Sequence, residues 1–83
     1  MTKKEFIEKY CGPTKLGKCK QVTWDLCSNI EDTFNNEDIK TETAIGSAHY
    51  GVDTLLEVVR EDLPDYEYLK NMEADLESMS KAE

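Results

Sequence analysis

Apolar residues recur at every third or fourth position through one long stretch of the chain, and this spacing constrains the fold more than any other feature. The stretch contains Leu16, Cys19, Val22, Thr23, Leu26, Ile30 and Phe34. Spacings of three and four match the α-helical turn and place these side chains on one face. The pattern predicts a helix over about 15–35, whose apolar face must be covered by other helices.

The N-terminal segment carries a helix start signal. Thr2-Lys3-Lys4-Glu5 matches the capping box, in which the threonine hydroxyl and the glutamate carboxylate each accept a hydrogen bond from the other residue's backbone amide. We therefore predict a short helix over about 3–10, with Phe6 and Tyr10 on one side. Gly12-Pro13 should end it, because proline cannot continue the helical hydrogen bonds.

Two more helices are predicted after Asn35-Asn36, a pair that tolerates the backbone conformation found at helix ends. Apolar spacing places them at about 39–62 and 65–79, with Leu63-Pro64 closing the first. Asn36 is a candidate cap for the former and Asp62 or Asp65 for the latter. Residues 80–83 are expected to fray.

The fold class follows from these helices and from what the chain lacks. No segment alternates apolar and polar residues with a period of two, and no Asn-Gly or Asp-Gly hairpin signal occurs. A chain of 83 residues is at most one domain. We predict an all-α single domain over 1–83, a compact antiparallel bundle of three main helices plus a short N-terminal helix, because the connections are short.

Charge is distributed unevenly along the chain. Residues 1–20 carry six lysines and two acids, whereas residues 21–83 carry sixteen acids and four basic residues, so the net charge is −8. This balance opposes direct nucleic-acid binding and favours a protein partner with a basic or mixed surface. The lysines are expected to be partly neutralised by acidic helices, within the domain or between copies of a homo-oligomer.

The sequence contains no recognisable catalytic pattern. There is one histidine, no glycine-rich phosphate loop and no H-E-x-x-H segment, so we expect no enzyme, no cofactor and no metal site. The cysteines Cys11, Cys19 and Cys27 are interpreted as free structural thiols in a reducing compartment. No signal peptide or membrane-length apolar run is found, and a cytoplasmic location is predicted.

His49 and its neighbours allow two interpretations. His49 lies on or beside the apolar stripe of the third helix, next to Tyr50, so it is either a packed histidine or a pH-sensitive or ligand-binding contact. The third helix also contains a patch of small residues that permits close packing, either within the monomer or against a partner. The patch consists of Gly46, Ser47, Ala48 and Gly51.

Several side chains are candidate contacts for a partner. Trp24 lies at the edge of the apolar stripe of the second helix, where it either packs against Phe6 and Tyr10 or serves as an exposed anchor. Tyr66 offers a similar choice in the fourth helix. The acidic contribution is assigned to Glu57, Glu61 and Asp62, and the full candidate set is Trp24, His49, Tyr50, Glu57, Glu61, Asp62 and Tyr66.

In size, acidity, capped lysine-rich start and cysteine-containing helical body, the chain resembles the small cytoplasmic accessory proteins of T4-type phages, which include cytoplasmic antiholins of lysis inhibition. This resemblance implies binding to a holin–antiholin complex in the host cytoplasm and no catalysis. Around Ile45-Gly46-Ser47-Ala48-His49-Tyr50 the chain is also similar to phage cyclic-nucleotide sponges, although its glycine spacing and long second helix differ.

Together these features predict a non-enzymatic, acidic regulatory or inhibitor protein that binds another protein stoichiometrically. The alternative is a phage anti-defence protein. It would act as a cyclic-nucleotide sponge, which would use the lysine-rich end with Tyr10 or Trp24, or as an acidic DNA mimic.

Overall fold

The computed structural model describes residues 1–11 and 21–82, and all regular structure in these ranges is helical. The chain forms α1 (Lys3–Phe6), a π-helical turn (Ile7–Cys11), α2 (Gln21–Asn35), α3 (Thr41–Leu56) and α4 (Pro64–Ala82). The predicted all-α class is confirmed. The predicted helix residues 15–20 and Cys19 lie outside the described residues.

The predicted capping box at the N-terminus is confirmed. The Glu5 amide donates to Thr2 Oγ1 at 3.1 Å, and the Thr2 amide donates to Glu5 Oε1 at 2.9 Å. The helical segment predicted to residue 10 continues to Cys11, but its α-helical part ends at Phe6 and Ile7–Cys11 form a π-helical turn. The Tyr10 carbonyl in this turn accepts hydrogen bonds from the Tyr68 hydroxyl and the Cys27 thiol, which tie the turn to α4 and α2.

The connection between α2 and α3 differs from the predicted one. Asn36 does not cap α3: its Oδ1 accepts from the Asp38 amide at 2.9 Å, which forms a local turn. Lys40 occupies the N-cap position of α3 without a side-chain cap bond, and the helix begins at Thr41 instead of residue 39.

The end of α3 was predicted too late. The helix ends at Leu56 rather than at residue 62, and turns occupy 57–63. Val58 and Val59 are weak helix formers, and the Arg60 guanidinium holds Asp62 across the turn. Pro64 therefore opens α4 instead of closing α3, a position where its missing N–H costs nothing. Asp65 consequently lies inside the first turn of α4 and does not cap it.

The apolar stripes of the helices meet in one core. Rings from four elements contact each other: Phe6 lies 4.8 Å from Tyr10 and 5.5 Å from Phe34, and Tyr10 lies 5.5 Å from Tyr68, measured between centroids. The buried apolar residues are Phe6, Tyr10, Cys27, Ile30, Phe34, Ala44, Ile45, Ala48, Val52, Leu69, Met72, Leu76 and Met79. Residues 80–82, expected to fray, continue the helix to Ala82.

The small-residue patch has one position where size matters. A Cβ atom placed on Gly51 would lie 2.8 Å from Leu26 Cδ1, so α2 approaches α3 closely there, whereas a Cβ on Gly46 would meet nothing within 4 Å. Close packing within the monomer therefore accounts for Gly51 and leaves Gly46 unexplained.

Candidate functional site

One side of α3 and the turns after it expose apolar and acidic side chains together. Tyr50 is 76% exposed and Val58 is 74% exposed. Glu57 directly follows α3 and still has a helical backbone conformation, with its amide bonded to the Asp53 carbonyl. Tyr50, seven residues earlier, therefore lies on the same side of the helix. We use the name α3 outer face for the exposed residues of α3 and of the turns that follow it in sequence, which are Tyr50, Glu57, Val58, Glu61, Asp62 and Leu63.

The carboxylates of the α3 outer face are not equivalent. Arg60 donates from Nε and from a terminal nitrogen to the two oxygens of Asp62, at 3.1 and 2.6 Å. This exposed pair partly neutralises Asp62. Glu57 and Glu61 are exposed as well, so they carry most of the negative charge that an approaching molecule meets.

Tyr66 lies beside this surface and not on it. It is half-buried and lines a groove of about 330 Å³ between α3 and α4, together with Asp53, Leu56, Glu57, Lys70 and Glu73. Glu57 belongs to both the groove and the α3 outer face, so the two are adjacent.

Trp24 lies on a different helix from the other candidates. It is 47% exposed on α2 and therefore keeps about half of its surface in solvent. The exposure of Trp24 fits the second of its two predicted placements, an exposed anchor, while the rings of Phe6 and Tyr10 contact those of Phe34 and Tyr68. A second groove of about 230 Å³ separates α2 from α3 and is bordered by Leu26, Asn29, Ile30, Thr33, Ser47, Ala48, Tyr50 and Gly51.

His49 is part of a cluster that the sequence analysis did not identify. Its Nδ1 lies 3.2 Å from Asp53 Oδ2, one helical turn further along α3. Glu73 of α4 completes the group, in which one ligating atom from each residue lies within 4.8 Å of the others. All three side chains are half-buried. We call this group the His49–Asp53–Glu73 cluster.

The two carboxyl groups of this cluster affect each other's ionisation. A hydrogen bond between them raises the pKa of Asp53, and burial adds to that increase. The same hydrogen bond lowers the pKa of Glu73, although burial opposes this. Lys70 also pairs with Glu73, at 3.4 Å. Two carboxyl groups can share a hydrogen bond only when one of them holds a proton.

The lysine-rich end contributes an ion pair to the fold. Lys9 Nζ lies 2.8 Å from Asp75 Oδ2 on α4, and the Tyr10 hydroxyl donates to the same oxygen at 2.5 Å. At least one N-terminal lysine is thus neutralised by an acidic helix, as the sequence predicted. Tyr10, one candidate for stacking on a nucleotide, is buried and engaged in this contact.

Three residues that the sequence analysis did not single out make contacts between elements of the fold: Asp53, Glu73 and Asp75. The spacing of His49 and Asp53, four residues apart, was a usable signal, because such positions are neighbours on a helix. No sequence spacing links either of them to Glu73, which only the packing of α4 on α3 brings close.

Comparison with known proteins yields no relative. No family model matches the chain, and neither the curated proteins nor the solved structures contain a match. Among the helices described in residues 1–11 and 21–82, none combines the length and apolar character needed to cross a bilayer.

Proposed function

We propose that this protein acts by stoichiometric binding to a protein with a basic surface, and that the α3 outer face is its contact surface. The observation that carries the proposal is Val58, an apolar side chain that is 74% exposed and that stands in the sequence between the exposed residues Glu57 and Glu61. An apolar centre within a polar, charged rim is the usual composition of a protein interface.

The charges of the chain indicate the type of partner. Acids outnumber basic residues by 18 to 10, and Glu57 and Glu61 are exposed beside Val58. Complementary charge accelerates encounter and disfavours acidic partners, while the apolar contacts at Tyr50, Val58 and Leu63 would supply affinity. The partner should therefore present lysine or arginine residues around an apolar depression.

The proposal includes an antiparallel arrangement of α2, α3 and α4. Leu56 and Tyr66 line one groove next to the 57–63 connection, whereas Ile45 and Ser80, far from that connection, line another. The end of α3 thus lies beside the start of α4, and the start of α3 lies beside the end of α4. This is the arrangement expected when two consecutive helices run in opposite directions. It would place the turns 57–63 at one end of the bundle, accessible to a partner.

A regulatory or inhibitory role, a phage source and a cytoplasmic location stay predictions from the sequence. The sponge alternative would have to use groups other than Lys9 and Tyr10, which are engaged with Asp75. Protein binding is preferred because the exposed aromatic and apolar groups of the α3 outer face lie beside carboxylates, which repel a nucleotide phosphate.

The proposal is tested by charge reversal with a matched control. The first triple variant reverses three charges of the α3 outer face and combines Glu57→Lys, Glu61→Lys and Asp62→Lys. The control triple variant makes the same change at exposed positions between α2 and the start of α3 and combines Glu37→Lys, Asp38→Lys and Glu42→Lys. Proteins captured from native cells by the unmodified chain are quantified for both triple variants at low and high salt.

We expect the first triple variant to lose a specific captured protein, and the control to keep it. Capture by the unmodified chain should weaken as salt increases. Val58→Asp should also reduce capture, because it removes the apolar centre without adding positive charge. Equal capture by both triple variants and by Val58→Asp would refute the assignment of this face.

A further inference from the structure

The His49–Asp53–Glu73 cluster joins three potential metal ligands from two helices. His49 and Asp53 lie on α3 and Glu73 lies on α4, with one ligating atom of each within 4.8 Å of the others. Imidazole nitrogen with carboxylate oxygens is a donor set typical of first-row divalent cations, including Zn²⁺, in sites that leave further positions for water.

The closest pair of ligands already has the separation that a metal requires. His49 Nδ1 and Asp53 Oδ2 are 3.2 Å apart. With metal–ligand bonds of about 2.0–2.2 Å, two ligands of one ion lie roughly 3–3.5 Å apart. Glu73, whose ligating atom lies within 4.8 Å of the other two, would have to move closer, and its side chain is longer than that of Asp53 and only half-buried.

Two features of the cluster are accounted for by a bound cation. Asp53 Oδ1 is inaccessible to solvent and accepts no hydrogen bond from an N–H group in the described part of the chain, and the Asp53–Glu73 contact is a hydrogen bond only while one of the two carboxyl groups is protonated. Asp53 and Glu73 face each other across the interface between α3 and α4, a contact that is repulsive when both are ionised. A divalent cation would bind both carboxylates and remove that repulsion.

The surroundings of the His49–Asp53–Glu73 cluster provide space for water ligands and a positive charge that competes with a cation for Glu73. The groove of about 330 Å³ next to Asp53 and Glu73 can hold the water ligands of an ion. Lys70 Nζ lies 3.4 Å from Glu73 Oε1, so Glu73 must exchange this ammonium for the metal. Glu57 also borders the groove and adds negative charge that favours a cation.

From this geometry we propose that His49, Asp53 and Glu73 bind one first-row divalent cation, such as Zn²⁺, that clamps α3 to α4. The proposal does not depend on the α3 outer face being a binding surface. It also revises the expectation from sequence that the chain has no metal site.

The test uses the full chain, freed of metal with a chelator that is then removed. Titration with ZnCl₂ by calorimetry should show one site. His49→Gln, Asp53→Asn and Glu73→Gln should each weaken binding at least about tenfold. Glu67→Gln, the same chemical change at an exposed position of α4, should leave the affinity unchanged. Lys70→Ala should strengthen binding, because it removes the competitor of Glu73.

A second measurement separates this site from binding by cysteines. The chain has a single histidine, so the imidazole NMR signals report on His49 alone. Zn²⁺ should shift them, Mn²⁺ should broaden them, and the Co²⁺ complex should show no thiolate charge-transfer absorption. Binding that leaves the His49 signals unchanged, or that gives thiolate absorption, would overturn the proposal.

Loss of folding cannot imitate the expected result. Asp53→Asn supplies an amide that can donate to Glu73, so the metal-free variant should be at least as stable as the unmodified chain while its affinity falls. If that variant is folded and binds Zn²⁺ as tightly as the unmodified chain, the proposed site is wrong.

Discussion

The Tyr10 hydroxyl donates a hydrogen bond of 2.5 Å to Asp75, and through this contact the N-terminal segment is tied to α4, 65 residues away in sequence. Lys9 pairs with the same carboxylate oxygen at 2.8 Å. The burial of Tyr10 and Phe6 and the ion pair therefore depend on the same docking of the N-terminal segment.

Removing the acceptor of these contacts should destabilise the fold. We expect Asp75→Asn to lower the free energy of unfolding by about 1–2 kcal/mol, because two donors lose a charged acceptor that is only partly exposed. Tyr10→Phe should cost less, since Lys9 keeps its partner. Urea denaturation measures both, and Asp25→Asn at an exposed position of α2 is the control. Equal stability of Asp75→Asn and the control would contradict the assigned role.

Asp75 should also make stability depend on acidic pH. Burial by itself would raise its pKa, but hydrogen bonds from Lys9 and Tyr10 outweigh this and lower the pKa below the ordinary value of 3.8. A group with a lowered folded-state pKa stabilises the protein above its unfolded-state pKa, and this contribution is lost as pH falls through the folded-state value. The stability difference between the unmodified chain and Asp75→Asn should therefore shrink below about pH 4 in denaturation series. A difference that stays constant through this range would exclude the effect.

Ionisation of Tyr10 should reduce the stability of the protein at alkaline pH. Burial and the hydrogen bond to Asp75 raise the pKa of Tyr10 from 10.0 to about 12. Because the folded-state pKa is raised, its contribution to stability is complete below pH 10 and is lost as pH increases towards 12. In a tyrosinate absorbance titration, the absorbance change at the alkaline end should be smaller in Tyr10→Phe than in the unmodified chain by the amount of one tyrosine. An equal change in both proteins would contradict the assignment to Tyr10.

The two glycines of α3 form a matched pair for mutation. Gly46→Ala should stabilise the protein by about 0.5–1 kcal/mol, because alanine favours the helix and its Cβ meets nothing within 4 Å. Gly51→Ala should gain less or destabilise, since its Cβ would lie 2.8 Å from Leu26 Cδ1, which must move. Thermal unfolding of both variants measures this difference in stability. A larger stabilisation from Gly51→Ala would show that α2 and α3 are not closely packed there.

The sequence predicted the helical elements well where local chemistry governs them. The Thr2–Glu5 capping box and the buried positions Leu69, Met72, Leu76 and Met79 follow from nearest-neighbour geometry along a helix. The end of α3 was placed too late, because Val59 and Leu63 continue the apolar spacing although the chain has already turned after Leu56. Apolar spacing alone does not distinguish a helix that continues from a turn whose apolar residues point the same way.

Sequence alone determined the all-α class, the net negative charge and most of the residues that form the core, because these depend on composition and on the 3.6-residue period. Tertiary structure alone decided which distant polar groups meet. It placed Glu73 beside His49 and Asp53, and Asp75 beside Lys9 and Tyr10. These contacts depend on how α4 packs against α3 and the N-terminal segment, and no local pattern in the chain specifies that packing.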